Sequence, residues 1–185
     1  SIIIGSIFGD GYLRIVPGRF NALLEINHTI HQKEYVDWKY EMLKSICKSG
    51  PVSRNGNGKR IAYRFNTRQH VELTDLHKLF YVNGKKHIPG NIKLDPIMLA
   101  IWYMDDGSKC GTSSFYLNTQ QFDFSDQIRC MKMLSDMGIE TTLNKDKEYS
   151  RIRIKCASLD TFFNLVAPHI IPSMYYKLGY NPVET

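Results

Sequence analysis

Two acidic residues close apolar runs, and each is followed by glycine. Residues Ile2 to Leu13 read IIIGSIFGDGYL, and residues Leu99 to Lys109 read LAIWYMDDGSK, so Asp10 and Asp106 end similar segments in different halves of the chain. Taken alone, either copy could be a helix stop, because Asp and Gly are common turn residues. The repetition argues for more. Gly5 and Gly9 lie four residues apart on one helical face, where the missing side chains would let a second helix approach closely. Two such helices side by side would bring Asp10 and Asp106 together at their ends. Adjacent carboxylates repel and need a compensating charge, for which a hard divalent cation bound by oxygen, Mg²⁺, is the natural choice. Against a phosphodiester, that centre could activate water and neutralise charge on the leaving oxygen.

Other chemistries find little support. No Gly-rich phosphate loop or Ser/His/Asp arrangement stands out. Cys47, Cys110, Cys130 and Cys156 are far apart and form no CxxC pair, which speaks against a zinc site or a disulfide framework and fits a reducing compartment. His28 and His31 fall at a strand-to-helix junction without a third partner and read as DNA-contacting or plain surface residues. Trp38 and Trp102 read as core. Lys and Arg outnumber Asp and Glu by 24 to 18, a net charge of +6 that favours a polyanionic partner. With 43% hydrophobic residues in 185, the chain can bury a core as one domain or as two small, tightly joined halves. No apolar run reaches the roughly 18 residues that cross a bilayer, and the start lacks a signal-peptide pattern. A soluble protein is expected. The opening at Ser1, directly into an apolar segment, suggests that upstream residues were removed.

The elements that would position the two acids also repeat. In the first half, Tyr12 to Val16 and Ala22 to His28 read as strands separated by Pro17-Gly18. Gln32 to Lys48 carries Tyr35, Trp38, Met42 and Ile46 at helical spacing. A further strand pair is joined at Asn55-Gly56-Asn57-Gly58, and Val71 to Tyr81 follows as a helix. In the second half, Ser114 to Asn118 reads as a strand and Ser125 to Met137 as a helix. Ser125 is its expected cap, Ile128, Met131 and Leu134 its buried stripe, and Gly138 its stop. Ile139 to Leu143 and Arg151 to Cys156 flank a charged turn before a last helix, Ser158 to Val166. The pattern predicts an α+β protein of two halves, residues 1–95 and 96–185, each with about four strands.

Alternation within the strands separates two faces. Arg60, Ala62, Arg64, Asn66 and Arg68 share one side, opposite Ile61, Tyr63, Phe65 and Thr67; Arg151, Arg153 and Lys155 stand opposite Ile152, Ile154 and Cys156. Matching basic faces in two halves suit base edges and phosphates of a DNA duplex, and Arg in particular can donate two parallel bonds to one base. A solvated sheet face is the plain alternative.

IIIGSIFGDG and LAIWYMDDG resemble the paired signature helices of the LAGLIDADG homing endonucleases, with Asp10 and Asp106 at the family's acidic metal ligands. The segments Tyr81 to Pro89, Leu117 to Gln120 and Ile171 to Leu178 extend the resemblance over nearly the whole chain, to the two-motif, intron-encoded members that act as monomers. It implies two pseudo-symmetric αββαββα halves whose antiparallel sheets form a saddle on double-stranded DNA, with the paired helices at their interface. It also implies a metal-dependent double-strand break with 3′ overhangs at a long target. Lys86 and Lys177 would be the basic residues beside the active centre, supplying positive charge where phosphate charge accumulates, with Lys85 a rival for Lys86. The second copy departs from the first: Ile101 and Asp105 stand where Gly5 and Gly9 stand. The metal is therefore assigned to Asp106, and Asp105 is left as its neighbour. Relatives on this scaffold also serve as RNA maturases, which makes host intron RNA the alternative partner; a transcription regulator of this fold would carry an added helix-turn-helix domain, for which the chain has no room.

Overall fold

The computed structural model describes residues 1–179 except Asn57, Lys59 and Thr112. A first set of elements comprises α1 (Ile2–Phe8), β1 (Tyr12–Ile15), β2 (Ala22–Thr29), α2 (Lys33–Leu43), β3 (Val52–Asn55), β4 (Ile61–Asn66) and α3 (Val71–Phe80). A short hairpin follows, β5 (Tyr81–Val82) and β6 (Lys85–Lys86). Its turn has Asn83 and Gly84 at φ of 51° and 75°, the pair of positive values that matches the twist of the flanking strands. The second set repeats the first: α4 (Pro96–Asp106), β7 (Gly107–Cys110), β8 (Ser114–Leu117), α5 (Phe124–Asp136), β9 (Thr141–Asp146), β10 (Tyr149–Ile154) and α6 (Leu159–Val166). The two four-stranded sheets have the same order, β1-β2-β4-β3 and β7-β8-β10-β9, with every pair antiparallel. Among the described residues, no helix is long and apolar enough to cross a membrane.

Local chemistry accounts for most boundaries. Asp95 caps α4 by accepting from the Met98 N–H at 2.8 Å, and Pro96 takes the first turn, where its missing N–H costs nothing. The cap of α5 differs from expectation: it is Asp123, accepting from the Asp126 N–H at 2.8 Å, while Ser125 lies inside the first turn and donates to Asp123. Gly138 ends that helix at φ 80°. The buried side of α5 carries Asp126, Gln127, Cys130, Met133 and Leu134, whereas Ile128 is exposed; of the expected stripe Leu134 is buried and Met131 half-buried, while the polar Asp126 and Gln127 face inward. In the first half, α2 stops at Leu43 and tightens into a 3-10 turn over Lys44–Ile46. That change of pitch leaves Ile46 exposed, while Met42, still within α2, is exposed because the buried stripe runs through Tyr35, Val36, Lys39 and Leu43. The turn expected at Asn55 to Gly58 lies partly outside the described residues.

At the centre, α1 and α4 run against each other. A Cβ on Gly5 would stand 2.9 Å from the Met98 carbonyl oxygen and 3.0 Å from the Ile101 Cβ, and one on Gly9 only 2.4 Å from the Asp105 Cβ. The contact is thus asymmetric, glycines on one helix receiving side chains of the other. Phe8 extends it between Phe80 and fully buried Trp102, at ring separations of 5.9 and 5.1 Å. Trp38 is half-buried and stacks on Tyr35 at 6.0 Å.

A methyl group at Gly5 meets backbone that cannot step aside, so Gly5→Ala should lower stability by about 1–3 kcal/mol. Gly90→Ala, where nothing lies within 4 Å, should change it by less than about 0.5 kcal/mol. Urea unfolding of the two variants measures both; equal stability would show that the helices can separate freely.

Candidate active site

Asp10 follows the end of α1, and Asp106 is the last residue of α4. The glycine contact brings those ends together, and the two carboxylates are near enough for the charge of Asp10 to act on Asp106. The Asp10 side chain is 48% exposed. Asp106 is partly buried and accepts from Gln121 Nε2 at 3.3 Å. Burial first, then the charges of Asp10 and Asp105, push the Asp106 carboxyl up to about 7, against the opposing pull of Lys86 and Lys177. Anions placed this close in a poorly solvated spot favour either a proton or a cation.

The two lysines hold equivalent positions. Lys86 Nζ donates to the carbonyls of Gly9 and Gly11 at 2.8 and 3.0 Å, and Lys177 Nζ donates to those of Asp105 and Gly107, both at 3.0 Å. Each ammonium thereby bridges the residues on either side of its own half's acid. Burial lowers both lysine pKa values, and the nearby carboxylates oppose the shift. Lys85, the rival, points outward and is exposed.

Asp105 belongs to a different arrangement. Its side chain is fully buried and is gripped by Lys39 Nζ at 2.8 and 3.0 Å and by the Tyr35 hydroxyl at 2.8 Å. Its Oδ2 also accepts from the Asp10 N–H at 3.2 Å. His28 completes the group, and its placement corrects the expectation of a surface residue: it is 3% exposed, with Nδ1 3.5 Å from Asp10 Oδ2 and Nε2 3.6 Å from Asp105 Oδ1. Alternation along β2 turns Leu24, Ile26 and His28 inward together, and burial is the largest cause lowering the histidine's pKa.

Among the described residues, Asp10, His28 and Asp105 have donor atoms all within 4.8 Å of one another. Lys39, however, already supplies the positive charge beside Asp105. The open acids are Asp10 and Asp106, an all-oxygen pair of the kind that suits a hard divalent cation. Sequence reasoning missed Lys39, Tyr35 and Gln121 as neighbours of the acids. One signal was available: Lys39 stands four residues after Tyr35, on the face of α2 that is otherwise buried.

The outer sheet faces divide the remaining candidates. Ala62, Arg64 and Asn66 alternate with buried Tyr63 and Phe65, and Arg151 and Arg153 with fully buried Ile152 and Ile154. Arg64 lies 3.5 Å from Glu25, Arg151 sits over the Tyr116 ring at 4.0 Å, and Arg153 donates to Ser114 at 3.2 Å. The buried atoms Asn27 Oδ1, Asn66 Oδ1, Arg151 Nε and Arg153 Nε have no partner, so these faces retain unused hydrogen-bonding capacity. Arg60 precedes β4 and is exposed. Two residues leave the pattern. Because β4 ends at Asn66, Arg68 turns away, its N–H bonding to the Ile46 carbonyl at 2.7 Å and its side chain lining a hollow with Ile3, Ile46 and Leu73. Lys155 lies just past β10 and pairs with Glu140 at 3.1 Å.

Known proteins are similar to this chain in sequence and fold. The chain is 35% identical over 191 residues to the cytochrome b mRNA maturase bI2 of Debaryomyces hansenii, covering 96% of this chain and 72% of that protein. It is 30% identical to a probable intron-encoded endonuclease 1 of Wickerhamomyces canadensis over 97% of this chain and 83% of the relative. By contrast, it spans only 46% of the length of a similar RecA protein from Mycobacterium gastri. The structure of the homing endonuclease I-WcaI bound to its DNA recognition sequence superposes with a TM-score of 0.87 at 28% identity, covering 97% of this chain and 85% of the other. With residues 1–162 matching the family's sequence pattern, the chain belongs to the LAGLIDADG DNA endonuclease family.

Proposed function

We propose that the chain is a monomeric homing endonuclease that makes a double-strand break with 3′ overhangs at one long DNA target, using Mg²⁺ held by Asp10 and Asp106. The observation that carries this reading is the doubled acid-and-lysine arrangement at the ends of α1 and α4, one set from each half. The cation would supply an activated water and neutralise charge on the leaving oxygen. The protein's own groups do the rest. Asp10 and Asp106 offer the oxygen ligands. Lys86 and Lys177, each with two of three N–H donors fixed on main-chain carbonyls, keep a positive charge beside the phosphate with one donor to spare. On the sheet faces, Arg64, Asn66, Arg151 and Arg153 contact bases and phosphates, Arg60 reaches the backbone, and Arg68 and Lys155 contribute from outside the regular strands.

A second reading, an intron RNA maturase on the same scaffold, draws support from the maturase relative. Splicing of a host intron RNA, assayed beside DNA cleavage, separates the two. Cleavage without splicing is expected.

Screening a randomised duplex library for Mg²⁺-dependent cuts should return one long target. On that target, Asp10→Asn and Asp106→Asn should each abolish cutting while binding stays within about tenfold; retained cutting by both would remove the metal assignment. Arg153→Ala should cost about 1–3 kcal/mol of binding at the base it reads.

The raised Asp106 carboxyl also links stability to pH. A folded-state value above the ordinary carboxylate range means that the metal-free protein holds an extra proton below about pH 7, so its stability falls as pH rises towards 7. In EDTA at pH 8, Asp106→Asn should therefore stabilise the protein by on the order of 2 kcal/mol, and much less at pH 4. Thermal melts test this: Mg²⁺ should raise the wild-type Tm at pH 8 and leave that of the variant nearly unchanged.

A further inference from the structure

We propose that Asp105 and Lys39 are positioning residues for the reaction: their buried ion pair, completed by Tyr35 and His28, holds the Asp10 main chain against the end of α4 and so sets the spacing of the two acids. The inference rests on the nuclease reading of the same site.

One carboxylate makes all the connections. Asp105 Oδ2 accepts from the Asp10 N–H at 3.2 Å, its Oδ1 accepts from the Tyr35 hydroxyl at 2.8 Å, and Lys39 Nζ bridges both oxygens. The Asp105 carbonyl also accepts from Lys177 Nζ, and the next residue is Asp106. His28 lies wedged between the carboxylates of Asp10 and Asp105, and the Tyr35 ring lies 4.5 Å beneath the Lys39 ammonium. The pair joins the halves, because Lys39 and Tyr35 come from α2 and Asp105 from α4. A hydrophobic pair of similar volume often stabilises an interface as well or better, so stability alone does not account for the charges. They are also absent from the other half. Gly9 stands where Asp105 stands, and the seventh residue of α5, matching Lys39 in α2, is buried Cys130. The device therefore acts on Asp10 alone.

The test compares Asp105→Asn/Lys39→Met, which keeps an acceptor for the Asp10 N–H without a lone buried charge, with Asp105→Ala/Lys39→Met, which removes it. Two readouts apply: hydrogen exchange of the Asp10 amide followed by NMR, and single-turnover cleavage of the duplex that the wild type selects from the library. In the alanine variant, amide protection should fall about tenfold or more and cleavage about thirtyfold, with duplex binding little changed; the asparagine variant, which keeps the acceptor but loses the ion pair, should lose about three- to fivefold in both. Equal behaviour of the two variants, wild-type behaviour of the asparagine variant, or lost protection with an unchanged rate overturns the proposal. Should the alanine variant not fold, Tyr35→Phe, lacking one hydroxyl, is expected to slow cleavage about threefold, and a wild-type rate would overturn the proposal equally. If the wild type cuts no duplex at all, the nuclease reading fails, while the exchange comparison still decides whether Asp105 holds Asp10.

Discussion

Everything in this molecule depends on how closely α1 can approach α4. Gly5 and Gly9 give up side chains so that Met98, Ile101 and Asp105 can occupy their space. That contact fixes where both helices end. Because each helix runs directly into the first strand of its own sheet, it also fixes how the two sheets stand relative to each other. The placement of the acids at the helix ends and that of the two outer sheet faces are thus consequences of one van der Waals contact.

The same contact creates an electrostatic problem, since it gathers Asp10, Asp105 and Asp106 in one place. The protein answers it with three buried or half-buried ammonium groups. Two of them, Lys86 and Lys177, bind main chain rather than carboxylates and leave the acids free. The third, Lys39, takes Asp105 out of play. Among three acids adjacent in space, the distribution of cations decides which two remain open to a metal and which one becomes part of the framework.

Much of this was legible in the residues. The repeated acidic segments, the small residues on α1, the two strand sets and their basic faces follow from periodicity and spacing, and Lys86 and Lys177 come from the family resemblance alone. Legibility failed where a local signal met a competing one. Ser125 looked like a cap, but Asp123 was the stronger acceptor two residues earlier. The α2 stripe was extended to Ile46, where a 3-10 turn rotates it out. His28 looked like surface because it falls at a strand-to-helix junction without a third partner, although the alternation of Leu24 and Ile26 points its side chain inward. Lys39 could be read only as a cation on the buried face of α2; its pairing with Asp105 could not, because it joins residues remote in sequence that meet only once the halves are docked.

Alternation along β4 and β10 keeps the residues that build each sheet's core apart from those that face outward. Substitutions at Arg64, Asn66, Arg151 or Arg153 can accumulate without disturbing Tyr63, Phe65, Ile152 or Ile154. A lineage carrying this scaffold could therefore drift from one target to another while the machinery at the helix ends stays untouched, so that specificity and chemistry evolve on separate clocks.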